Sequence, residues 1–132
     1  MACELNVLLV DDEPSWLESL SAVLGRCGVS VKMVQSAVEA LRAFREEIFE
    51  LIITDFEMPG MNGLELAREL RSLCCTAPII LMTGDKDIRS SRSVTGAGIT
   101  ACIDKSENLD EMLRSIERLS RKPIALRRRV KT

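Results

Sequence analysis

Five side chains able to do phosphate chemistry stand where four apolar runs stop. Asp11 and Asp12 follow Val7-Leu8-Leu9-Val10, and Asp55 follows Leu51-Ile52-Ile53-Thr54. Thr83 follows Ile79-Ile80-Leu81-Met82, and Lys105 closes the stretch from Ile99 to Asp104. In an open α/β sheet, ligands bind outside the carboxyl ends of parallel strands. If these runs are parallel strands, three acids, a hydroxyl and an ammonium meet at one edge. Three crowded carboxylates repel one another unless a cation intervenes, so such a cluster can hold a divalent cation and a phosphoryl group together. Each residue also has a plainer reading. Asp is common at strand-loop turns, one of the Asp11-Asp12 pair can cap the helix that starts at Pro14, and a single Lys or Thr at a strand end carries no signal alone.

The elements needed to position these groups can be read along the chain. Leu5 to Val10 is a short apolar run without helical period, which suits a buried strand. Pro14 sits where a helix begins, with Asp12 before it as a cap. Trp16, Leu17, Leu20, Val23 and Leu24 then recur at helical spacing, and Gly28 suits the exit turn. Val29 to Val34 predicts a second strand. Ser36 caps a second helix with Ala37, Ala40, Leu41 and Phe44 on its apolar face. Leu51 to Thr54 is a third strand, followed by a turn-rich loop with Pro59-Gly60 and Asn62-Gly63. Leu64, Ala67, Leu70 and Leu73 stripe a third helix. Ile79 to Met82 is a fourth strand, and residues 86 to 96 are a weaker, polar helix. Ile99 to Ile103 is a fifth strand, and Leu109, Met112, Leu113, Ile116 and Leu119 stripe a final helix. Five alternations of strand and helix argue for an α/β fold: a doubly wound five-stranded parallel sheet with helices on both faces. Strand order 2-1-3-4-5 is the common solution for such a sheet.

Composition narrows the function. The 132 residues suit one domain, with residues 1–120 as its body and 121–132 as a basic tail or the start of a linker. Histidine is absent, which removes Ser-His-Asp and Cys-His chemistry and most zinc sites. It also means that the chain cannot itself carry a phosphohistidine. The five cysteines, Cys3, Cys27, Cys74, Cys75 and Cys102, form no ligand-spaced cluster and read as small apolar residues of a reducing compartment. No apolar run approaches the roughly 18 residues of a membrane span, and the amino terminus lacks the pattern of a signal peptide. A cytoplasmic protein is the expectation. Seven of the 18 Lys and Arg residues lie from Arg118 onward with no acid among them, so 11 bases face 20 acids in the rest of the chain. The Arg127-Arg128-Arg129 run reads as a solvated tail rather than a nucleic-acid contact, because no aromatic or helical pattern accompanies it.

Taken together, Leu8-Leu9-Val10-Asp11-Asp12-Glu13-Pro14, the stretch from Thr54 to Gly63 (Thr-Asp-Phe-Glu-Met-Pro-Gly-Met-Asn-Gly), Met82-Thr83-Gly84 and Lys105 resemble a response-regulator receiver domain of two-component signalling. The likeness runs from about Leu5 to Leu119 and is specific because the motifs occur in this order, each at a strand end. It implies a flavodoxin-like, chemotaxis-regulator-like fold and a phosphorelay role. Asp55 is then the phosphoacceptor, taking a phosphoryl group from a partner phosphohistidine. Mg²⁺ is bound by Asp12, Asp55 and the backbone carbonyl of Glu57, with Asp11 acting through water. Lys105 pairs with Asp55 and later with a phosphoryl oxygen, and Thr83 hydrogen-bonds the phosphoryl group beside the small Gly84. Glu57 and Asp85 lie near the path of the hydrolytic water and tune the lifetime of the acyl phosphate. The resemblance implies a sensor histidine kinase or phosphotransfer protein upstream. Downstream it implies an effector, a separate protein or a domain outside this chain, reached through the fourth helix, fifth strand and fifth helix. It also allows a phosphorylation-dependent homodimer. No membrane partner is expected, and no turnover of an external substrate: the chain would catalyse only its own phosphorylation and dephosphorylation.

Three residues depart from the family pattern. Cys102 stands where an aromatic switch residue is usual, Ser106 stands where a proline often follows the lysine, and Glu57 adds a fourth acid near the metal. A trans Lys105–Ser106 bond is therefore expected. Two alternatives stay open: a small aspartyl-phosphate hydrolase and a non-phosphorylated dimerisation module. The hydrolase fits less well, since haloacid-dehalogenase-like enzymes place a second acid two residues after the nucleophile, whereas Asp11 and Asp12 are adjacent. A flavin carrier on the same fold is disfavoured because Asp-Asp-Glu-Pro would repel the flavin phosphate.

Overall fold

A computed structural model describes residues 5–120. Five parallel strands form one sheet in the order β2-β1-β3-β4-β5: β1 Leu5–Val10, β2 Val29–Val34, β3 Leu51–Asp55, β4 Ile79–Thr83 and β5 Ala101–Asp104. The predicted architecture and strand order are those observed. Side chains alternate across a strand, and here the alternation sorts them into two apolar layers. Leu8, Val10, Ile52, Ile79 and Leu81 face one layer, while Val7, Leu9, Ile53, Ile80 and Met82 face the other. Strands buried on both faces read as continuous apolar runs, which is why β1, β3 and β4 carry so little helical period.

Helices α1 (Pro14–Arg26) and α6 (Leu109–Leu119) cover one face through Leu17, Leu20, Leu24, Met112, Leu113 and Ile116. Helices α2 (Ala37–Glu46) and α3 (Gly63–Ser72) cover the other through Ala37, Ala40, Ala43, Leu66, Ala67 and Leu70. Ser36 caps α2 as expected, its hydroxyl accepting from the Glu39 N–H at 3.1 Å. Asn62 and Glu65 form a reciprocal capping box on α3. Gly28 takes the left-handed φ of +81° in the turn that leaves α1.

Four local expectations are corrected. Asp12 does not cap α1. The cap position is Glu13, which makes no side-chain cap bond, and it is the Asp11 carboxylate that accepts the Glu13 N–H at 3.0 Å. The strands β3 and β4 run one residue further than the apolar pattern suggests, so Asp55 and Thr83 are themselves strand residues. The strand β5 starts at Ala101 rather than Ile99, because Gly98 turns at φ +87° and Ile99 still bonds back to Val94. The polar helix over residues 86 to 96 is two short pieces, α4 (Lys86–Arg89) and α5 (Arg92–Gly96), each opened by its own side-chain cap from Asp85 and Ser91. Ser and Asp compete with the helical backbone in this way. No peptide bond among the described residues is cis. Of the cysteines, Cys27 and Cys75 are buried, Cys102 is half-buried and Cys74 is exposed; all four are free, and Cys3 lies outside the described residues. The basic tail from residue 121 also lies outside them. No helix of the described residues is long and apolar enough to cross a membrane.

Candidate functional site

Parallel register gathers the predicted site residues. Val10 pairs with Thr54, Asp55 with Met82 and Thr83 with Asp104, so the residues at and just beyond the strand ends align along one edge of the sheet. Carboxylate oxygens of Asp11, Asp12 and Asp55 come within 4.8 Å of one another. Asp11 is fully buried, Asp55 nearly so, and Asp12 is exposed. Lys105 follows β5 and reaches back over this edge. Its ammonium donates to Asp11 Oδ2 at 2.7 Å and lies 3.4 Å from Asp55 Oδ2 and 3.5 Å from Glu13 Oε1. The lysine therefore contacts Asp55 as expected, but its closest partner is Asp11.

The backbone of Asp55 is fixed from two sides. The hydroxyl of Thr54 donates to the Asp55 carbonyl at 3.0 Å. Helix α3 starts hard against the same carbonyl, and a Cβ at Gly63 would collide with it and come within 2.7 Å of Leu81 Cδ1. Gly63 is thus required for close approach rather than for an unusual backbone angle. In the sequence it read only as part of a turn. At Gly84, by contrast, an added Cβ would meet nothing within 4 Å, so steric need does not explain that glycine.

Electrostatics make the site hungry for positive charge. Burial raises the Asp55 carboxyl from 3.8 to about 6, and the neighbouring Asp11 charge adds to the rise, against the opposing pull of Lys105. Burial also raises Asp11, although Lys105 and the Glu13 N–H hold it down in part. For Lys105, burial pushes the ammonium down, but the Asp11 hydrogen bond and the charges of Asp55 and Asp11 outweigh it and raise the group above 10.5. One lysine does not balance three acids. That deficit and the all-oxygen donor set fit a hard dication such as Mg²⁺. Both Asp11 oxygens already accept hydrogen bonds, from Glu13 and Lys105, whereas no bond engages Asp12 among the described residues. Beside Asp12 opens a hollow of about 450 Å³ lined also by Glu57, Met58, Pro59 and Asn62.

The remaining predicted residues fall in different places. Thr83 is buried at the edge, its oxygen accepting the Asp85 N–H at 3.0 Å, which leaves its own proton free to donate. Glu57 is exposed on the rim of the hollow. Asp85 turns to its own helix, accepting from Asp87 at 2.8 Å and Ile88 at 3.4 Å. Cys102 is half-buried, its thiol raised by burial and partly offset by Arg89. Three neighbours carried no clear sequence signal. Glu13 and Trp16 touch Lys105, and Arg89 spans from α4 to pair with Asp104 at 3.4 Å.

Comparison with known proteins gives one family. The model of the response regulator receiver domain matches residues 7–117. The transcriptional regulatory protein FixJ of Rhizobium meliloti is 36% identical over 123 residues, which cover 92% of this chain and 60% of FixJ. The chain thus spans only part of the length of the curated relatives it matches. Among solved structures, chemotaxis protein CheY4 of Vibrio cholerae superposes with a TM-score of 0.84 at 27% identity, covering 89% of this chain and 99% of that one. Response regulator TrrA of Thermotoga maritima, in complex with Mg²⁺ and BeF, superposes with a TM-score of 0.79 at 36% identity, covering 87% and 98%.

Proposed function

The chain belongs to the response-regulator receiver family, the phosphorelay receivers of two-component signalling, and on that premise we propose that Asp55 is its phosphoacceptor. The observation that carries this reading is the meeting of the Asp55 carboxylate with Asp11, Asp12 and the Lys105 ammonium at one sheet edge. An Asp55 oxygen attacks the phosphorus of a partner phosphohistidine in line. The O–P bond forms, the N–P bond breaks, and the imidazole leaves. Lys105 neutralises charge on one equatorial oxygen, and the Thr83 hydroxyl donates to another. Asp12, Asp55 and the Glu57 carbonyl would hold Mg²⁺, with Asp11 acting through water. When bound, the ion supplies further neutralisation of phosphoryl charge. By resemblance to the family, the positions of Glu57 and Asp85 tune the lifetime of the acyl phosphate; the Glu57 carboxylate is exposed on the rim of the hollow, while that of Asp85 caps α4.

The upstream partner is a histidine kinase or phosphotransfer protein, and output runs through α4, α5, β5 and α6 to an effector. The shortness of α4 and α5 supports a population shift on that face. The test is intact mass after Mg²⁺ and acetyl phosphate. Wild type gains one phosphoryl group and Asp55→Asn gains none; equal labelling of both refutes the assignment. The same preparation tests the small-hydrolase alternative, which requires multiple turnover of a generic phosphate ester. Output is tested by amide exchange over residues 84 to 106 with and without beryllofluoride, where an unchanged pattern excludes the proposed face.

A further inference from the structure

Lys105 makes a contact that phosphoryl acceptance does not require. Besides Asp11 and Glu13, its ammonium lies over the Trp16 ring, 5.3 Å from the centroid. Trp16 stands in the first turn of α1, half-buried, packed against the layer formed by α1, α6 and the sheet. Its Nε1 is buried and has no hydrogen-bond partner among the described residues. A buried indole N–H ordinarily finds an acceptor. Here it goes without one while the ring lies beneath the ammonium, so packing and the cation set its orientation.

We infer that Trp16 is a positioning residue: with Glu13 it parks the Lys105 ammonium beside β1 in the unphosphorylated chain and thereby slows phosphoryl acceptance at Asp55. This inference rests on the reading of Asp55 as the acceptor. To meet a phosphoryl oxygen on Asp55, the ammonium, which already lies 3.4 Å from Asp55 Oδ2, moves out of the position it shares with Asp11, Glu13 and the ring. A contact made in the ground state and lost on the way to the transition state raises the barrier. A cation over a partly desolvated indole is bound strongly enough to change a rate by about two- to five-fold. Glu13, exposed and at 3.5 Å, adds less.

The full chain tests this with two readouts. In wild type, the Lys105 ε-methylene carbon-bound proton resonance is displaced upfield by the indole ring current. It returns toward its ordinary position with Mg²⁺ and beryllofluoride. Trp16→Leu, which keeps apolar volume without a π face, loses the displacement and accepts phosphoryl groups from acetyl phosphate about two- to five-fold faster by intact mass. Trp16→Phe, which keeps a weaker π face, falls between. Glu13→Gln, on an exposed side chain that leaves the fold untouched, gives a smaller acceleration. An undisplaced resonance in wild type overturns the inference without any variant. So does a Trp16→Leu chain that folds and labels at or below the wild-type rate, while wild-type labelling leaves the acceptor reading intact. A wild type that gains no phosphoryl mass overturns the acceptor reading and this inference with it.

Discussion

The two flanks of the sheet are built to different standards, and the acidic pocket sits between them. On the side of β1 and β3, helices α1, α2 and α3 run 10 to 13 residues and bury regular apolar stripes. Asp55 is locked there by Thr54 and by the close start of α3. Beyond β4, α4 has four residues and buries none, α5 buries only Val94, and β5 is half-buried. Arg89 joins α4 to β5 by an ion pair about a quarter exposed at each end. Few buried apolar contacts mean low local stability. The proposed acceptor Asp55 therefore belongs to the stiff flank, while Thr83 and Lys105 stand at the margin of the soft one. On the proposed reading, chemistry belongs to the first flank and response to the second.

Deep truncation sharpens this contrast most. Leu66→Ala, in the buried stripe of α3, is expected to cost about 2–5 kcal/mol in urea unfolding. Ile88→Ala in α4, half-exposed, is expected to cost less than about 1 kcal/mol. Similar costs at the two sites would erase the distinction. Close behind comes Gly63→Ala, whose added methyl must push α3 off the Asp55 carbonyl; overpacking of this kind costs about 1–3 kcal/mol. Gly84→Ala, with open space around it, is expected to stay within about 0.5 kcal/mol of wild type.

The pocket itself carries stored electrostatic strain. A carboxyl raised to about 6 in the fold, from its ordinary 3.8, is stabilising while protonated. That contribution is full below about 3.8 and is lost as pH rises through about 6. Asp11 is raised too and acts in the same direction, and Lys105 stays charged throughout this window. Metal-free wild type should thus lose stability mainly between about pH 4 and pH 6, and Mg²⁺ should flatten the profile. At pH 7.5, Asp55→Asn should stabilise the metal-free chain by on the order of 1–3 kcal/mol. A destabilised Asp55→Asn chain would mean that the aspartate is held by favourable contacts rather than crowded by acids.

A small global effect is also expected at the soft flank's ion pair. Arg89→Ala should change unfolding free energy by about 0–1 kcal/mol, as exposed pairs do. Amide exchange in residues 86 to 96 should nonetheless quicken, because the side chain is the strut between α4 and β5. Unchanged exchange there would detach Arg89 from the response.

The stiff flank was the legible one in the sequence. Val7 to Val10, Leu51 to Ile53 and Ile79 to Met82 are uninterrupted because both faces are covered, and the acids after them stand out by contrast. The soft flank read poorly because Asp85, Ser90 and Ser91 use their side chains on the local backbone, which breaks one weak helix into two. Two contacts outside the motif pattern were not legible. Nothing near Trp16 announces a lysine 89 positions later, and nothing in Asn62-Gly63 announces that the missing Cβ seats α3 on the Asp55 carbonyl. The choice of Asp11 over Asp55 as the closest partner of Lys105 depends on where one flexible stem comes to rest, which no spacing rule encodes.

Borohydride trapping of the phosphorylated chain tests the central claim most directly, because it reduces an acyl phosphate to homoserine at the residue that bore it. Peptide mapping after Mg²⁺ and acetyl phosphate should place homoserine at position 55 and leave Asp11 and Asp12 intact. Homoserine at position 11 or 12, with Asp55 unmodified, would contradict the account.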